Sequence, residues 1–264
     1  MSLMEENLGW DWFIKKFHEK SGIDLAAYKR PQMERRIGSF MRSVDARNYA
    51  SFIKVLENDP VVYRKFLDHL TINVSEFFRN SNHWDILRKD IMPALIRQRA
   101  QVRAWSAGCS TGEEPYSLAL LFQEHFPQRF EKILATDIDQ DALEKAKTGL
   151  YLPKSLQAVP QAWVKKYFEE VNGYFRIKDE LKNCVRFERH DLLKDRYPSN
   201  MDLILCRNVV IYFTEEAKEK LYRRFVDALR PGGVLFIGST EQIFKAREIG
   251  LKSVATFFYE KAAD

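Results

Sequence analysis

Residues 101–137 read QVRAWSAGCSTGEEPYSLALLFQEHFPQRFEKILATD, and the succession of textures in this stretch decides the fold. A short apolar run, 102–108, opens into small residues. An apolar-rich segment with helical spacing follows over 112–126, and a second short apolar run begins at Lys132. Parallel neighbours need a crossover of this kind, because a tight turn can only join antiparallel ones. Downstream the alternation continues. A helix is expected over 139–151, strands over 185–193 and 201–213, and a helix over 215–230 with Pro231-Gly232-Gly233 as its stop signal. A fifth strand is expected over 234–239 and a last one over 255–261. Strands alternating with helices predict a doubly wound, mostly parallel α/β sheet covered on both faces. One stretch, at about 151–183, departs from this. Its Asn172-Gly173 sits between alternating runs, the signal of a hairpin, and a small antiparallel β insertion is expected there.

Upstream of this unit no strand is expected. Trp10, Phe13, Ile14 and Phe17 recur at helical spacing, as do Met33, Ile37, Phe40 and Met41, and then Phe52, Ile53, Val55 and Leu56. The expected organisation is an all-α N-terminal domain over 1–75, a linker with a connecting helix over 76–100 (the helix itself at 81–99), and the α/β domain over 101–264.

Composition narrows the class. Of 264 residues, 45% are hydrophobic and 13% aromatic, enough for a buried core, which excludes a disordered chain. The formal net charge is +5. Segment 28–54 carries Lys29, Arg30, Arg35, Arg36, Arg42, Arg47 and Lys54 against Glu34 and Asp45, so the whole excess lies there and the rest is neutral. Three cysteines at positions 109, 184 and 206 form no metal spacing and no disulfide framework. The five histidines show no ligand spacing either, and no metal is expected. The first residues lack the basic and apolar regions of a secretory signal, and no apolar run approaches the length of a membrane span. A cytoplasmic location is expected.

In open α/β sheets ligands bind beyond the carboxyl ends of the strands. The first strand runs into Gly108-Cys109-Ser110-Thr111-Gly112-Glu113-Glu114. Two acids in a first helical turn repel the pyrophosphate that such a turn otherwise holds. Glu114 has a second reading, because Thr111-x-x-Glu114 fits a capping box. The second strand ends at Asp137, the place of an acid that takes ribose hydroxyls. Asp139 is the better helix cap, which leaves Asp137 for a ligand. The third ends at Asp191-Leu192, where a carboxylate beside an N–H can read an adenine edge or simply close a surface turn. The fourth ends at Arg207-Asn208, polar groups in an apolar run that need partners, followed by Tyr212. A nucleoside with a cationic, non-phosphorylated tail suits these acids, and S-adenosylmethionine is one.

Five ordered motifs, TINVSEFFRN, RAWSAGCSTGEEPYSLAL, ILATDIDQDALEKAKTGLY, LILCRNVVIYF and GVLFIGSTEQIF, closely resemble the chemotaxis receptor glutamate methyltransferases of the CheR family. The resemblance spans nearly the whole chain. It implies a Rossmann-like methyltransferase domain and transfer of a methyl group from S-adenosylmethionine to glutamate side chains on chemoreceptor cytoplasmic helices, with S-adenosylhomocysteine as product. It further implies that Asn73, Ser75 and Arg79 contribute to the cofactor site. Glu114 falls where the family holds the methionine amino group, and Asp137 where it holds the ribose. Asp191-Leu192 and Arg207-Asn208 match positions near the adenine and the cofactor, and Arg79 and Tyr212 the pair flanking the methyl. Asp191 stands where Asn is common, and Ser75 where Thr is common; both keep acceptor oxygens.

A glutamate substrate is already ionised at neutral pH, so the transfer needs no general base and gains its rate from positioning. Chemoreceptor methylation helices are acidic. The resemblance therefore turns the basic segment into a docking surface, with Arg35, Arg36 and Arg42 on roughly one helix face. A monomer, no nucleic acid and no membrane insertion are expected. In some family members the hairpin insertion binds a receptor's C-terminal peptide; the short turn here favours action without that tether. Two other readings remain: a methyltransferase of the same fold acting on a small molecule or RNA, and a non-catalytic cofactor sensor. Basic residues of 28–54 do not alternate with aromatic ones in the manner of single-strand binders.

Overall fold

The computed structural model describes residues 9–71 and 75–262. These pack as two compact units, one of residues 9–71 with 212–218, the other of 75–211 with 219–262.

The first unit is helical. Helix α1 (Trp10–Ser21) stops at Gly22, whose φ of 75° only glycine adopts cheaply. Helix α2 (Arg30–Ser43) starts with Pro31 in its first turn. Helix α3 (Tyr49–Asn58) is capped reciprocally by Asn48 and Ser51. A fourth helix, α4 (Pro60–Leu70), follows the three read from spacing; Asp59-Pro60 is its start, the Asp59 carboxylate accepting from the Val61 and Val62 N–H groups. Its Phe66 lies at the centre of the core, edge-on to Phe52 at 4.9 Å and to Phe17 at 5.4 Å. Burying such a ring contributes about 2–3 kcal/mol. Segment 212–218 joins this unit through an antiparallel bridge of Tyr28 with Phe213 and a bond from the Lys29 N–H to the Tyr212 carbonyl at 2.9 Å.

The second unit opens with α5 (Ser81–Ile86), a π-helical turn (Leu87–Ile91) and α6 (Met92–Gln98), together the expected connecting helix. The wide turn lies where Pro93 cannot donate a helical bond, and the Met92 N–H reaches back five residues to the Leu87 carbonyl. There follow β1 (Ala104–Ala107), α7 (Glu113–His125), β2 (Ile133–Asp137), α8 (Gln140–Thr148), β3 (Leu150–Tyr151), α9 (Gln161–Tyr167), β4 (Phe168–Val171), β5 (Tyr174–Ile177), α10 (Asp179–Lys182), β6 (Val185–Arg189), β7 (Met201–Cys206), α11 (Glu215–Ala228), β8 (Leu229–Ile237), β9 (Leu251–Ala255) and β10 (Phe258–Lys261).

The main sheet has the order β6-β2-β1-β7-β8-β10-β9, parallel except where β10 runs against β8 and β9. This is the doubly wound, mostly parallel sheet expected. The insertion is a separate three-stranded antiparallel sheet, β3-β5-β4, whose hairpin turns at Asn172-Gly173 with φ of 51° and 79°. Both values are positive, as the tightest hairpin turn requires.

Four of the expected strands differ in extent, the third ending at Arg189 rather than 193. The fourth strand ends at Cys206 rather than 213, because Asn208 adopts a left-handed φ of 59°. Pro231-Gly232-Gly233 does not separate α11 from a strand at 234; β8 already begins at Leu229 and carries these residues as a bulge, Met201 facing Leu229 and Leu203 facing Val234. A Cβ on Gly233 would stand 2.7 Å from the Met201 carbonyl oxygen, so only glycine lets the strands close up there. Finally, the run 255–261 is not one strand. It bends at Phe257, φ 68°, so that Leu251–Ala255 and Phe258–Lys261 pair with each other.

Candidate active site

The strand order reverses at β1, since β2 and β6 lie to one side and β7 and β8 to the other. A crevice forms at such a reversal, beyond the strands' carboxyl ends. Its two walls are the loops after β1 and β7, and they touch. Gly108 has φ 82°, and a Cβ there would overlap Cγ2 of Val209 and stand 3.2 Å from its Cγ1.

Glu114 is the centre of the charged network. It does not cap α7. The cap position is Gly112, with φ 95° and no side-chain cap, and the Thr111 hydroxyl donates instead to Glu113 at 2.7 Å. That frees the Glu114 carboxylate to accept from the Ser106 hydroxyl at 2.8 Å and from Arg207 at 3.4 Å. The Arg207 side chain is 2% exposed. A second guanidinium nitrogen donates to the Arg79 carbonyl at 2.6 Å and to the Asn80 side chain at 3.3 Å, and the group stacks over Phe236 with 4.6 Å to the ring centre. Burial raises the Glu114 carboxyl above its ordinary value; the charges of Arg207 and Arg79 oppose that shift. The structure thus brings Arg79, Glu114 and Arg207 together. Ser75 lies beside the neighbouring acid, the buried Glu113, and favours its charged form. Asn73 lies outside the described residues.

Of Asp137 and Asp139, the second is the helix cap, as the spacing predicts. Asp139 caps α8 through the Asp141 and Ala142 N–H groups. Asp137, half-buried, accepts from the Ser110 N–H at 2.7 Å and the Asp139 N–H at 3.0 Å, which ties the loop after β1 to the end of β2. Its carboxyl is pushed up by burial and held down by those N–H groups. Asp191 is buried and accepts from the Leu193 N–H at 2.8 Å, closing its own turn. The Leu192 carbonyl is held by the Tyr197 hydroxyl at 2.9 Å and by Arg224. Asn208 is half-buried in its left-handed conformation.

The remaining candidates belong to the helical unit. Tyr212 lies half-buried at the end of a short 3-10 turn, Val210–Tyr212. Arg36 feels its hydroxyl, but donates to the His69 carbonyl and is half-buried. Arg35 and Arg42 are exposed. The basic face of α2 therefore presents Arg35 and Arg42 to solvent and turns Arg36 inward.

Several residues escaped the spacing argument. Ser106 points along β1, where only the tertiary pairing shows its role. Glu241 follows the fifth strand's end, an acid at the kind of position read for the other strands. Two cysteines, Cys109 and Cys206, flank the crevice loops, but both are buried and burial pushes their thiols well up, so neither is a poised nucleophile. Among the described residues no cluster of His, Cys, Asp or Glu could hold a metal ion, and no helix is long and apolar enough to cross a membrane.

The donor set fits S-adenosylmethionine. Buried carboxylates at the start of α7 disfavour a phosphate and suit a cationic tail, and Asp137 keeps acceptor capacity for hydroxyls. Comparison with known proteins agrees. Residues 73–256 match the family model described as CheR methyltransferase, SAM binding domain, and residues 9–71 the one described as CheR methyltransferase, all-alpha domain. A chemotaxis protein methyltransferase of Listeria innocua is 42% identical over 95% of this chain and 96% of its own length. Those of Salmonella typhimurium and Escherichia coli are each 34% identical, over 92% and 85% of this chain and 87% and 80% of their own lengths.

Proposed function

This chain belongs to the CheR methyltransferase family, and on that premise we propose that it transfers a methyl group from S-adenosylmethionine to glutamate side-chain carboxylates of chemoreceptor cytoplasmic helices, forming methyl esters. The observation that carries the site assignment is the diversion of Glu114 from helix capping into a buried network with Ser106 and Arg207, beside Arg79.

Glu114 holds the cofactor's ammonium and Asp137 its ribose hydroxyls, with Asp191-Leu192 on the adenine side. Asn73, Ser75 and Asn208 complete the set. Arg207 is buried against Glu114 and the backbone of Arg79, so it acts on the cofactor chiefly by holding those two groups in place. Bound S-adenosylmethionine supplies the methyl as an activated sulfonium substituent. Arg79 holds the substrate carboxylate by charge-assisted hydrogen bonds, and Tyr212 orients the attacking oxygen. No residue needs to abstract a proton, because the glutamate is ionised at neutral pH. The protein acts as a cytoplasmic monomer, on protein rather than nucleic acid, and without a receptor-tail tether.

The exposed Arg35 and Arg42 steer the acidic receptor helix. The decisive test is incubation of the protein with methyl-labelled cofactor and a purified receptor fragment. Label on receptor glutamates is expected. Label only on RNA, or no turnover with any receptor, overturns the assignment.

A further inference from the structure

Glu241 lies in the loop after β8, 4% exposed, with no basic side chain hydrogen-bonded to it among the described residues. Backbone surrounds it instead. One carboxylate oxygen accepts from the Val210 N–H at 3.2 Å and the other from the Gly238 N–H at 2.6 Å, and the nearby Asn208 and Val209 N–H groups favour its charged form without bonding it. Three of these N–H groups belong to successive residues, and the first of them, Asn208, has a left-handed φ of 59°. Successive N–H groups converging through such a conformation form a nest, a concavity that binds anions. Here the anion is part of the chain: burial pushes the Glu241 carboxyl up, and the N–H groups of Gly238 and of residues 208–210 pull it back toward the charged form. The close fit has a further requirement, since a Cβ on Gly238 would stand 2.7 Å from both the Asn208 nitrogen and Oε2 of Glu241.

The nest is the loop that carries the crevice wall. Arg207, which holds Glu114 and the Arg79 carbonyl, immediately precedes it. Val209, inside it, packs on Gly108 of the opposite wall. A left-handed conformation carries some cost even for asparagine, the residue that tolerates it best after glycine, and the charge-assisted bonds from the Val210 and Gly238 N–H groups offset it. Without the carboxylate, Asn208 has reason to relax toward an ordinary conformation, which would shift Arg207 and Val209 together.

We infer that Glu241 is a positioning residue of this methyltransferase: as the internal anion of the 208–210 nest it holds Arg207 against Glu114 and Val209 against Gly108, so cofactor affinity depends on it. The inference rests on the reading of Arg207-Asn208 as part of the cofactor wall.

Glu241→Gln keeps the size of the side chain but removes its charge and turns an amide donor toward N–H groups. The folded variant is expected to bind S-adenosylhomocysteine at least about tenfold more weakly, from the loss of charge-assisted bonds. Its KM for a receptor fragment should stay near the parent value, and its unfolding should remain cooperative. Asn208→Ala is measured alongside. Weakened binding in Asn208→Ala with unchanged binding in Glu241→Gln overturns the inference alone. Unchanged binding in both overturns the cofactor assignment of the loop and the inference with it. Hydrogen exchange of the unsubstituted protein supplies a readout independent of the variant's folding. Slow exchange at 208–210 is expected, and exchange at the rate of an open loop overturns the nest.

Discussion

Gly108 and Val209, 101 positions apart in the chain, are in such close contact that no side-chain carbon fits between them. Their contact is where the loop after β1 meets the loop after β7, and it brings the walls of the crevice to a fixed distance. Gly108→Ala is expected to destabilise the protein by about 2–4 kcal/mol, combining the left-handed φ with overpacking. Adding Val209→Ala should relieve the overlap and leave the backbone part, so the double variant should be more stable than the sum of the singles. Urea unfolding of the four chains measures the coupling. Strict additivity would contradict the contact.

Arg207 and Glu114 form a buried pair whose partners differ in replaceability. Arg207→Met strands a buried carboxylate, and a loss of about 3–5 kcal/mol is expected. Glu114→Gln keeps the Ser106 bond and is expected to cost less stability but more cofactor affinity. Thermal unfolding and calorimetric titration with S-adenosylhomocysteine separate the two effects. Equal losses of affinity and stability in both variants would contradict the division of roles.

The site should respond to pH in a defined direction. Burial raises the carboxyls of Glu113, Glu114 and Asp137 above their ordinary values, near 4.5 for glutamate and 3.8 for aspartate. For such groups the folded state prefers the protonated form. Their contribution to stability is full below those ordinary values and is lost as pH rises through the raised ones. Ligand binding has the opposite slope, because an ammonium needs the carboxylate. Affinity for S-adenosylmethionine is expected to be lower at pH 5 than at pH 7, and the ligand's increment in Tm correspondingly smaller. Glu114→Gln should flatten the profile. An affinity independent of pH in the parent protein would remove Glu114 from the ammonium site.

On α2, Arg35 and Arg42 are exposed while Arg36 is engaged with the His69 carbonyl. Reversal of Arg35 and Arg42 to Glu should raise the KM for receptor severalfold at low salt and reduce the salt dependence of methylation, with cofactor affinity unaffected. Arg36→Ala should instead lower the stability of the helical unit. Methylation kinetics at two ionic strengths, paired with thermal unfolding, distinguish these outcomes. Unchanged receptor kinetics in the reversal variant would end the docking role.

Much of the site was legible because strand ends are local features. Asp137 and Asp139 could be told apart from their spacing to α8 alone. Glu114 could not, since Thr111-x-x-Glu114 satisfies the capping pattern equally well, and only the αL conformation of Gly112 in the folded chain rules the cap out. Helix α4 was legible too: Val62, Tyr63, Phe66, Leu67 and Leu70 form an apolar stripe at helical spacing, and Asp59-Pro60 marks its start. The split of 255–261 carried no glycine or asparagine to announce it, and Phe257 takes the left-handed turn conformation itself.

What the amino-acid order by itself determined is the alternation of strand and helix, and the set of acids that those strands deliver to one edge of the sheet. Periodicity and turn chemistry are short-range properties, so they survive in the sequence. Which acid meets which base was decided by the tertiary structure. Arg207 reaches Glu114, and Glu241 enters the nest of Asn208–Val210, only because the sheet reverses at β1 and sets β7 between β1 and β8. Burial at that reversal excludes water, and each buried charge must then find its partner within the fold.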